Sequence, residues 1–379
     1  MVHARDAIVV GLGAHGAAAS AALARRGLSV LGLERFGRGE TFGSSGGRSR
    51  IIRVAHYEDP FYAPLARAAW DRWLALEAET GESILTRTGG LYAGSPSSPL
   101  LAGAIAAART HAIEHELIDA AEIRRRWPAF TPADDAIGLV EDQAGVLRAD
   151  RANAAHLAVA ERAGAELRFG TRVVDWRPDG GAGFEVETGD GSVVRATRLV
   201  LAAGPWIGRL VADLGLPMTV ERQPVCWFTP AVPAPEVSAG RLPVWLMATA
   251  GGTFYGVPHD PELGLKVSHH HSGELVDPDA FDRDVRAADV RRIRAFMRAR
   301  MPAGDGPLSS STVCLYTNTP DDAFVVDRHP AAPGVAFSSA CSGHGFKFAP
   351  LIGEILADLV TDGVTTWPIG PFRTDRFAA

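Results

Sequence analysis

The chain has 379 residues, 46% of them hydrophobic and 22% charged, the balance of a folded globular protein of about two domains. The net charge is −6, so there is no basic excess to attract nucleic acid. No stretch approaches the ~18 uninterrupted apolar residues of a membrane-spanning helix. The 41 Gly and 25 Pro are spread along the chain, which argues against collagen or a long disordered tail. Among the 38 Lys+Arg residues only Lys266 and Lys347 are lysines. A GC-rich genome accounts for such a skew, and it leaves two positions where arginine did not replace lysine.

Ala7 to Val10 reads as a short apolar strand, followed by Gly11-Leu12-Gly13-Ala14-His15-Gly16 and an alanine-rich helix to about Arg26. Leu28 to Leu33 reads as a second strand, closed by Glu34. Strand, glycine turn, helix, strand and acid form a dinucleotide fingerprint. The glycines admit a pyrophosphate to the helix N-terminus, and Glu34 is placed to accept from ribose hydroxyls. The fingerprint does not choose between NAD and FAD. Thr41 to Arg50 is a polar, glycine-rich, basic loop.

Helices are expected over Pro64–Glu79, Leu101–His115, Ala120–Trp127 and Asp150–Ala163, with Asp150 as a candidate N-cap. Leu167–Thr171, Phe184–Thr188 and Ser192–Ala196 have hairpin-like spacing, and Leu199–Ala203 is a strand running into Gly204-Pro205-Trp206. The stretch 220–317 reads as an inserted sheet domain containing a charged helix, Asp279–Arg300. Phe324–Asp327 and Val335–Ser338 are short strands, and Leu351–Thr361 is a closing helix.

Three segments carry candidate chemistry. Arg50 and Arg53 are three apart and on a helical turn would share a face, suited to gripping a carboxylate or phosphate. In Gly264–Ser268, read as a strand, Lys266 faces away from Leu265 and Val267. His269, His270 and His271 follow it, but neighbours on a strand diverge, so no metal site is expected. Cys314-Leu315-Tyr316 and Cys341 to Lys347 form the third group, with Ser-Gly-His-Gly as a ligand-approaching loop. Three cysteines with no CxxC spacing exclude a disulfide framework and fit a reducing compartment. The apolar run at Ala7–Val10 is too short for a signal segment, so a cytoplasmic protein is expected.

These motifs resemble the monomeric sarcosine oxidase and N-methyltryptophan oxidase group of the D-amino-acid-oxidase-like flavoproteins. The resemblance is carried by IVVGLGAHG, GSSGGRSRIIR, RWPAF (Arg126 to Phe130), LAAGPW, FYGVP, GLKVSHH, VCLYTNTPDD and SGHGFKF, and covers nearly the full chain. It implies an α/β protein: a Rossmann-like FAD-binding domain of the glutathione-reductase type, with an inserted α+β substrate domain on a mixed sheet. The implied boundaries are 1–85, 150–218 and 318–379 for the FAD domain, and 86–149 and 219–317 for the substrate domain. It implies FAD held covalently through Cys314. It implies catalytic roles for Lys266, where oxygen is reduced, and for Arg50, His270 and Tyr316, and substrate-binding roles for Arg53, Lys347 and Tyr255. The implied cofactor contacts are Gly11, Gly13, Gly16, Glu34, Arg35, Ser44, Ser49, Arg50, Val173, Gly204, Trp206, Gly343, Gly345 and Lys347.

One departure stands out. Where the sarcosine oxidase loop holds two histidines and an Asp-Thr, this chain reads Ser45-Gly46-Gly47-Arg48-Ser49. A glycine thus replaces a histidine that lies near the flavin. The expected activity is oxidation of a secondary amine, sarcosine or another N-methyl amino acid, by a monomer that uses O2 and binds neither nucleic acid nor membrane. The alternatives are a cyclic imino acid or glycated amino acid as substrate, a dehydrogenase of the same fold, an NAD-dependent reductase, or a non-catalytic FAD-binding protein.

Overall fold

A computed structural model describes residues 5–40 and 42–377, so Thr41 lies outside the described residues. A six-stranded sheet runs in the order Val325–His329, Ala332–Ser339, Leu199–Leu201, Ala7–Val10, Val30–Leu33, Glu166–Arg168. Its pairings are parallel except between the first two strands. Both faces of this sheet are covered, which explains the unbroken apolar run at Ala7–Val10. Ala7 and Val9 join the core formed with helices Ala14–Arg25, Ala149–Arg162 and Ala349–Thr361. Ile8 and Val10 pack instead with Phe184, Val186 and Val194 of a three-stranded antiparallel sheet.

An eight-stranded sheet follows the order Leu308–Asn318, Thr219–Phe228, Gly264–His269, Gly252–Asp260, Val244–Thr249, Gly90–Gly94, Ile137–Glu141, His115–Asp119. It is mixed, because Val244–Thr249 runs parallel to Gly90–Gly94 and the other neighbours are antiparallel. Helix Ala287–Arg300 seals one face, where Ile293, Phe296 and Met297 meet Trp245, Phe254, Leu265 and Val267. Lys266, between Leu265 and Val267, is thereby directed to the other face. A small sheet of Leu85–Arg87, Ala144–Arg148 and Ser49–Arg53 joins the two large sheets.

Several local expectations change. Arg50 and Arg53 lie on a strand, Ser49–Arg53, paired to Ala144–Arg148, so three residues of spacing puts them on opposite faces rather than one. The helix expected over Leu101–His115 stops at Thr110, and His115 begins a strand. Arg148 is the N-cap of Ala149–Arg162, with Asp150 inside its first turn. The charged helix starts at Ala287; the eight residues before it are held by turns and ion pairs. Glu166–Arg168 belongs to the parallel sheet, while Phe184–Thr188 forms the expected hairpin with Val193–Ala196 and pairs on its other side with Val173–Pro178.

Candidate active site

The glycine turn is built by close approach. Gly11 sits at φ 88°, and a Cβ there would lie 2.5 Å from the Ala202 carbonyl oxygen. A Cβ on Gly16 would come within 1.8 Å of the Gly11 carbonyl oxygen. The Glu34 carboxylate accepts from the Leu12 N–H at 2.8 Å and the Phe36 N–H at 3.1 Å, fixing the acid against the turn. Gly13, the N-cap of helix Ala14–Arg25, supplies no capping side chain. Ser45 Oγ takes the Ala14 N–H at 3.0 Å. The rest of the first turn is left for an anion, so the residues fit a dinucleotide.

One cavity runs from this turn to the face of the eight-stranded sheet. Gly11, Gly13, Glu34, Arg35, Ser44, Val173, Gly204 and Trp206 line one part of it. Arg50, Arg53, Tyr255, Lys266, His270, Cys314, Tyr316, Gly343, Gly345 and Lys347 line the other. Two expected residues lie off the wall. Gly16 packs against Gly11, and Ser49 lies behind Lys266 with its carbonyl accepting from Nζ at 2.8 Å.

The far end is a buried cation cluster. Lys266 is 2% exposed; burial, and then the charge of Arg50, lower its ammonium to about 7. Its Nζ lies 5.4 Å from the Trp227 ring centroid and 5.9 Å from that of Tyr255. Arg50 donates to the carbonyls of Ser49 and Ser44 at 2.8 and 2.7 Å and to that of Gly46. Its guanidinium lies 3.4 Å from Cys314 Sγ, which is buried and free of any disulfide. His270 Nδ1 lies 3.3 Å from the Tyr316 hydroxyl. Burial, and then the neighbouring His271, keep His270 well below the ordinary histidine range, so it is neutral at pH 7.

Only His269 belongs to the strand; His270 and His271 lie beyond it, with ring centroids 4.2 Å apart, yet the three take different partners. His269 stacks on Phe254, His270 meets Tyr316, and His271 pairs with Glu221 at 3.3 Å.

Arg53 shows a feature that residue spacing did not reveal. Its guanidinium grips Glu58 through two bonds, 2.6 and 2.7 Å, with both side chains largely buried. Burial opposes the charge on Glu58, but Arg53 and then His56 hold it well below the usual carboxylate range. Lys347 donates to the His344 carbonyl at 2.6 Å and lies 3.4 Å from His56 Nε2. Burial, and then Arg53, push its ammonium well below the usual lysine range. Behind them the buried Glu141 accepts from the Val54 and Ala55 N–H groups and the Tyr92 hydroxyl, fixing the chain where it leaves Arg53. Glu58, His56 and Glu141 were not singled out in the sequence. Each acts through a partner distant in sequence or around an irregular turn.

His56, Glu58 and His344 bring three potential metal ligands within 4.8 Å of one another. Arg53 and Lys347 already flank that carboxylate, so added positive charge is disfavoured there.

The chain matches the DAO family, described as FAD dependent oxidoreductase, over residues 6–359. It is 40% identical to a monomeric sarcosine oxidase of Streptomyces avermitilis, over 99% of this chain and 98% of that protein. It is 32% identical to an N-methyl-L-tryptophan oxidase of Salmonella arizonae, covering 98% and 99%. Among solved structures, the open form of NikD, an amino acid oxidase of nikkomycin biosynthesis, superposes with a TM-score of 0.86 at 25% identity, covering 98% and 97%. Among the described residues no helix is long and apolar enough to cross a membrane.

Proposed function

The chain belongs to the DAO family of FAD dependent oxidoreductases, and on that premise we propose that it oxidises a secondary amine carrying a carboxylate: sarcosine or another N-methyl amino acid. The observation that carries this reading is the buried pair Arg53 and Lys347 in the same cavity as the glycine turn, Lys266 and Cys314. A small carboxylate entering the cavity takes the Arg53 guanidinium in place of Glu58, and its negative charge favours the protonated form of Lys347, which adds a second cation. That anchors the amine and its N-methyl group against the ring site framed by Arg50, Tyr255 and Cys314, a proximity effect.

The amine must be neutral to be oxidised. A desolvated site beside Arg50 and Lys266 favours that form. His270, uncharged and beside Tyr316, orients rather than protonates. Bound FAD supplies the two-electron acceptor, with O2 as the final oxidant and H2O2 as product. Lys266, lowered to about 7, supplies positive charge where negative charge develops on oxygen, and that developing charge favours its protonated form. The imine product hydrolyses, giving formaldehyde and the amine from an N-methyl substrate. Cys314 is the residue we assign to covalent attachment of FAD, with Arg50 beside its sulfur.

The reading also divides the chain into an FAD domain (1–85, 150–218, 318–379) and a substrate domain (86–149, 219–317). The sorting of strands between the six- and eight-stranded sheets supports this division. A monomer working in the cytoplasm completes the proposal, supported by the word monomeric in the name of the 40%-identical relative.

The test is an anaerobic titration of the yellow holoprotein with sarcosine, N-methyl amino acids, pipecolate, proline and glycated amino acids. Loss of absorbance near about 450 nm with N-methyl amino acids at the lowest concentrations supports the reading. Bleaching by pipecolate or glycated amino acids alone reassigns the substrate, and no bleaching by any amine overturns the activity.

A further inference from the structure

At the dinucleotide end of the cavity, a segment from the eight-stranded-sheet side of the molecule reaches over the wall. Residues 277–284 lie between strand Gly264–His269 and helix Ala287–Arg300. Asp279 Oδ1 accepts from Trp206 Nε1 at 2.8 Å and pairs with the Arg35 guanidinium at 3.0 Å, while Oδ2 meets Arg209. Asp277 accepts from the same Arg209 and from the Asp279 N–H, both at 2.8 Å. Arg35, Trp206 and Arg209 line the cavity; Asp277 and Asp279 do not.

A second set of contacts runs beside the first. Arg283 donates to the Phe42 carbonyl at 3.1 Å, and its guanidinium lies 4.5 Å from the Phe281 ring and 4.8 Å from the Phe42 ring. Phe42 packs on Phe36 at 5.0 Å, and Phe36 on Trp206 at 5.5 Å. Arg35 sits over both Phe36 and Trp206, 4.8 and 4.4 Å from their centroids. One aromatic–cation ladder therefore ties this segment to the loop after Glu34 and to the Gly204–Trp206 turn.

We propose that Asp279 is a positioning residue for the cofactor site, a latch that holds Arg35, Trp206 and Arg209 in place as the wall of the dinucleotide channel, and that FAD enters when the latch opens. At the reaction end Arg53, Lys266 and Lys347 are all buried, whereas the latch residues reach solvent, so the proposal places FAD entry at the dinucleotide end. The latch contacts are partly exposed, with Asp279 and Arg209 side chains 31% and 45% accessible. Contacts of that kind are individually weak and screened by salt. A wall held this way opens without unfolding either sheet. Removing the carboxylate leaves Arg35 and Arg209 without their shared counter-charge and frees the Trp206 N–H.

The proposal rests on FAD as the occupant of the channel and not on the identity of the amine, so it stands or falls separately from the substrate. The experiment mixes full-length apoprotein with FAD and follows uptake by quenching of FAD fluorescence. Release is followed on dilution in a Cys314→Ser background. Asp279→Ala is expected to speed both uptake and release at least about tenfold, with the thermal midpoint of the apoprotein unchanged and Asp279→Glu restoring the parent rates. Raising salt from about 0.05 to about 0.5 M is expected to speed uptake by the parent and not by Asp279→Ala. Uptake and release within twofold of the parent in Asp279→Ala overturn the latch, as does faster release with unchanged uptake, which marks a plain binding contact. If the variant fails to fold, salt-independent uptake by the parent overturns it alone.

Discussion

Lys266 and Lys347, the two lysines of this chain, line one cavity, each with a buried ammonium bonded to a backbone carbonyl: Ser49 at 2.8 Å for the first and His344 at 2.6 Å for the second. Among 38 basic residues these two were not exchanged for arginine. Their surroundings supply a physical reason. A compact ammonium fits a closed site where a small molecule must sit beside the charge, and a planar five-donor guanidinium does not.

Lys266→Met tests the oxygen role. Removing the one ammonium that can face the reacting oxygen is expected to slow reoxidation of the anaerobically reduced holoprotein by about 10²-fold, with reduction by substrate changed only a few-fold. Stopped-flow measurement of the two half-reactions separates them, and equal losses in both refute the assignment.

The same variant has a stability consequence in the FAD-free protein. Lys266 titrates at about 7 when folded, because burial and then Arg50 disfavour its charge, whereas an unfolded lysine titrates near ~10.4. Between those values the unfolded chain binds the extra proton, so stability rises with pH across the window. The penalty of burying the ammonium is present in full below pH 7 and fades toward ~10.4. Lys266→Met is expected to stabilise the apoprotein at pH 7, by up to about 4 kcal/mol, and to show no gain near pH 10. Urea unfolding at both pH values reads this directly.

Arg53→Met removes the guanidinium whose Nη2 holds both Glu58 oxygens and, on our reading, binds the substrate carboxylate. Losing a charge-assisted contact of roughly 3 kcal/mol is expected to raise KM for sarcosine by about 10²-fold, with a smaller change for an N-methylamine lacking the carboxylate. Equal losses for both amines point to a structural role.

Cys314→Ser tests attachment. Acid precipitation of the parent is expected to leave the yellow colour in the pellet, and of the variant to release FAD into the supernatant. Free FAD from the parent refutes the covalent link.

Much of the frame was legible because it is local. Ala7–Val10, the glycine turn and Glu34 lie within one stretch of chain and announce a dinucleotide site on their own. Lys266 could be faced correctly from strand alternation, since Leu265 and Val267 belong to the core beneath helix Ala287–Arg300. Arg50 and Arg53 could not, because spacing alone does not tell helix from strand, and pairing with Ala144–Arg148 decides it. Glu58 stayed invisible for a related reason. It reaches Arg53 only after the chain turns at His56, and the backbone leading into that turn is pinned by Glu141, 86 residues from Ala55. The latch at Asp279 joins residues 70 and more apart, in a segment that local charge pattern assigned to a helix.

His271 offers a prediction in which the sign of the pH dependence decides. It sits at φ 48°, and its Nδ1 lies 3.3 Å from the buried Glu221 carboxylate, which also accepts from Asn318 at 2.8 Å and from the Gly273 N–H at 2.7 Å. Burial disfavours the imidazolium, but the bond to Glu221 and its charge outweigh that and raise His271 above the usual histidine value. For Glu221 burial is again the opposing effect, and His271 with the Gly273 N–H lowers it. A raised histidine contributes stability that is complete below its unfolded value of ~6.5 and is lost as pH rises through the folded value. A lowered glutamate contributes above its unfolded value of ~4.3 and loses that contribution as pH falls through the folded value. The pair is therefore strongest between about pH 4.3 and 6.5. His271→Asn keeps a side chain that tolerates left-handed backbone and removes the titratable charge. Its urea midpoint is expected to fall below the parent's at pH 5.5, by the equivalent of about 1 kcal/mol, and to converge on it at pH 8. A deficit of the same size at both pH values would show that the ring matters through packing on Tyr316 and His270 and not through its charge.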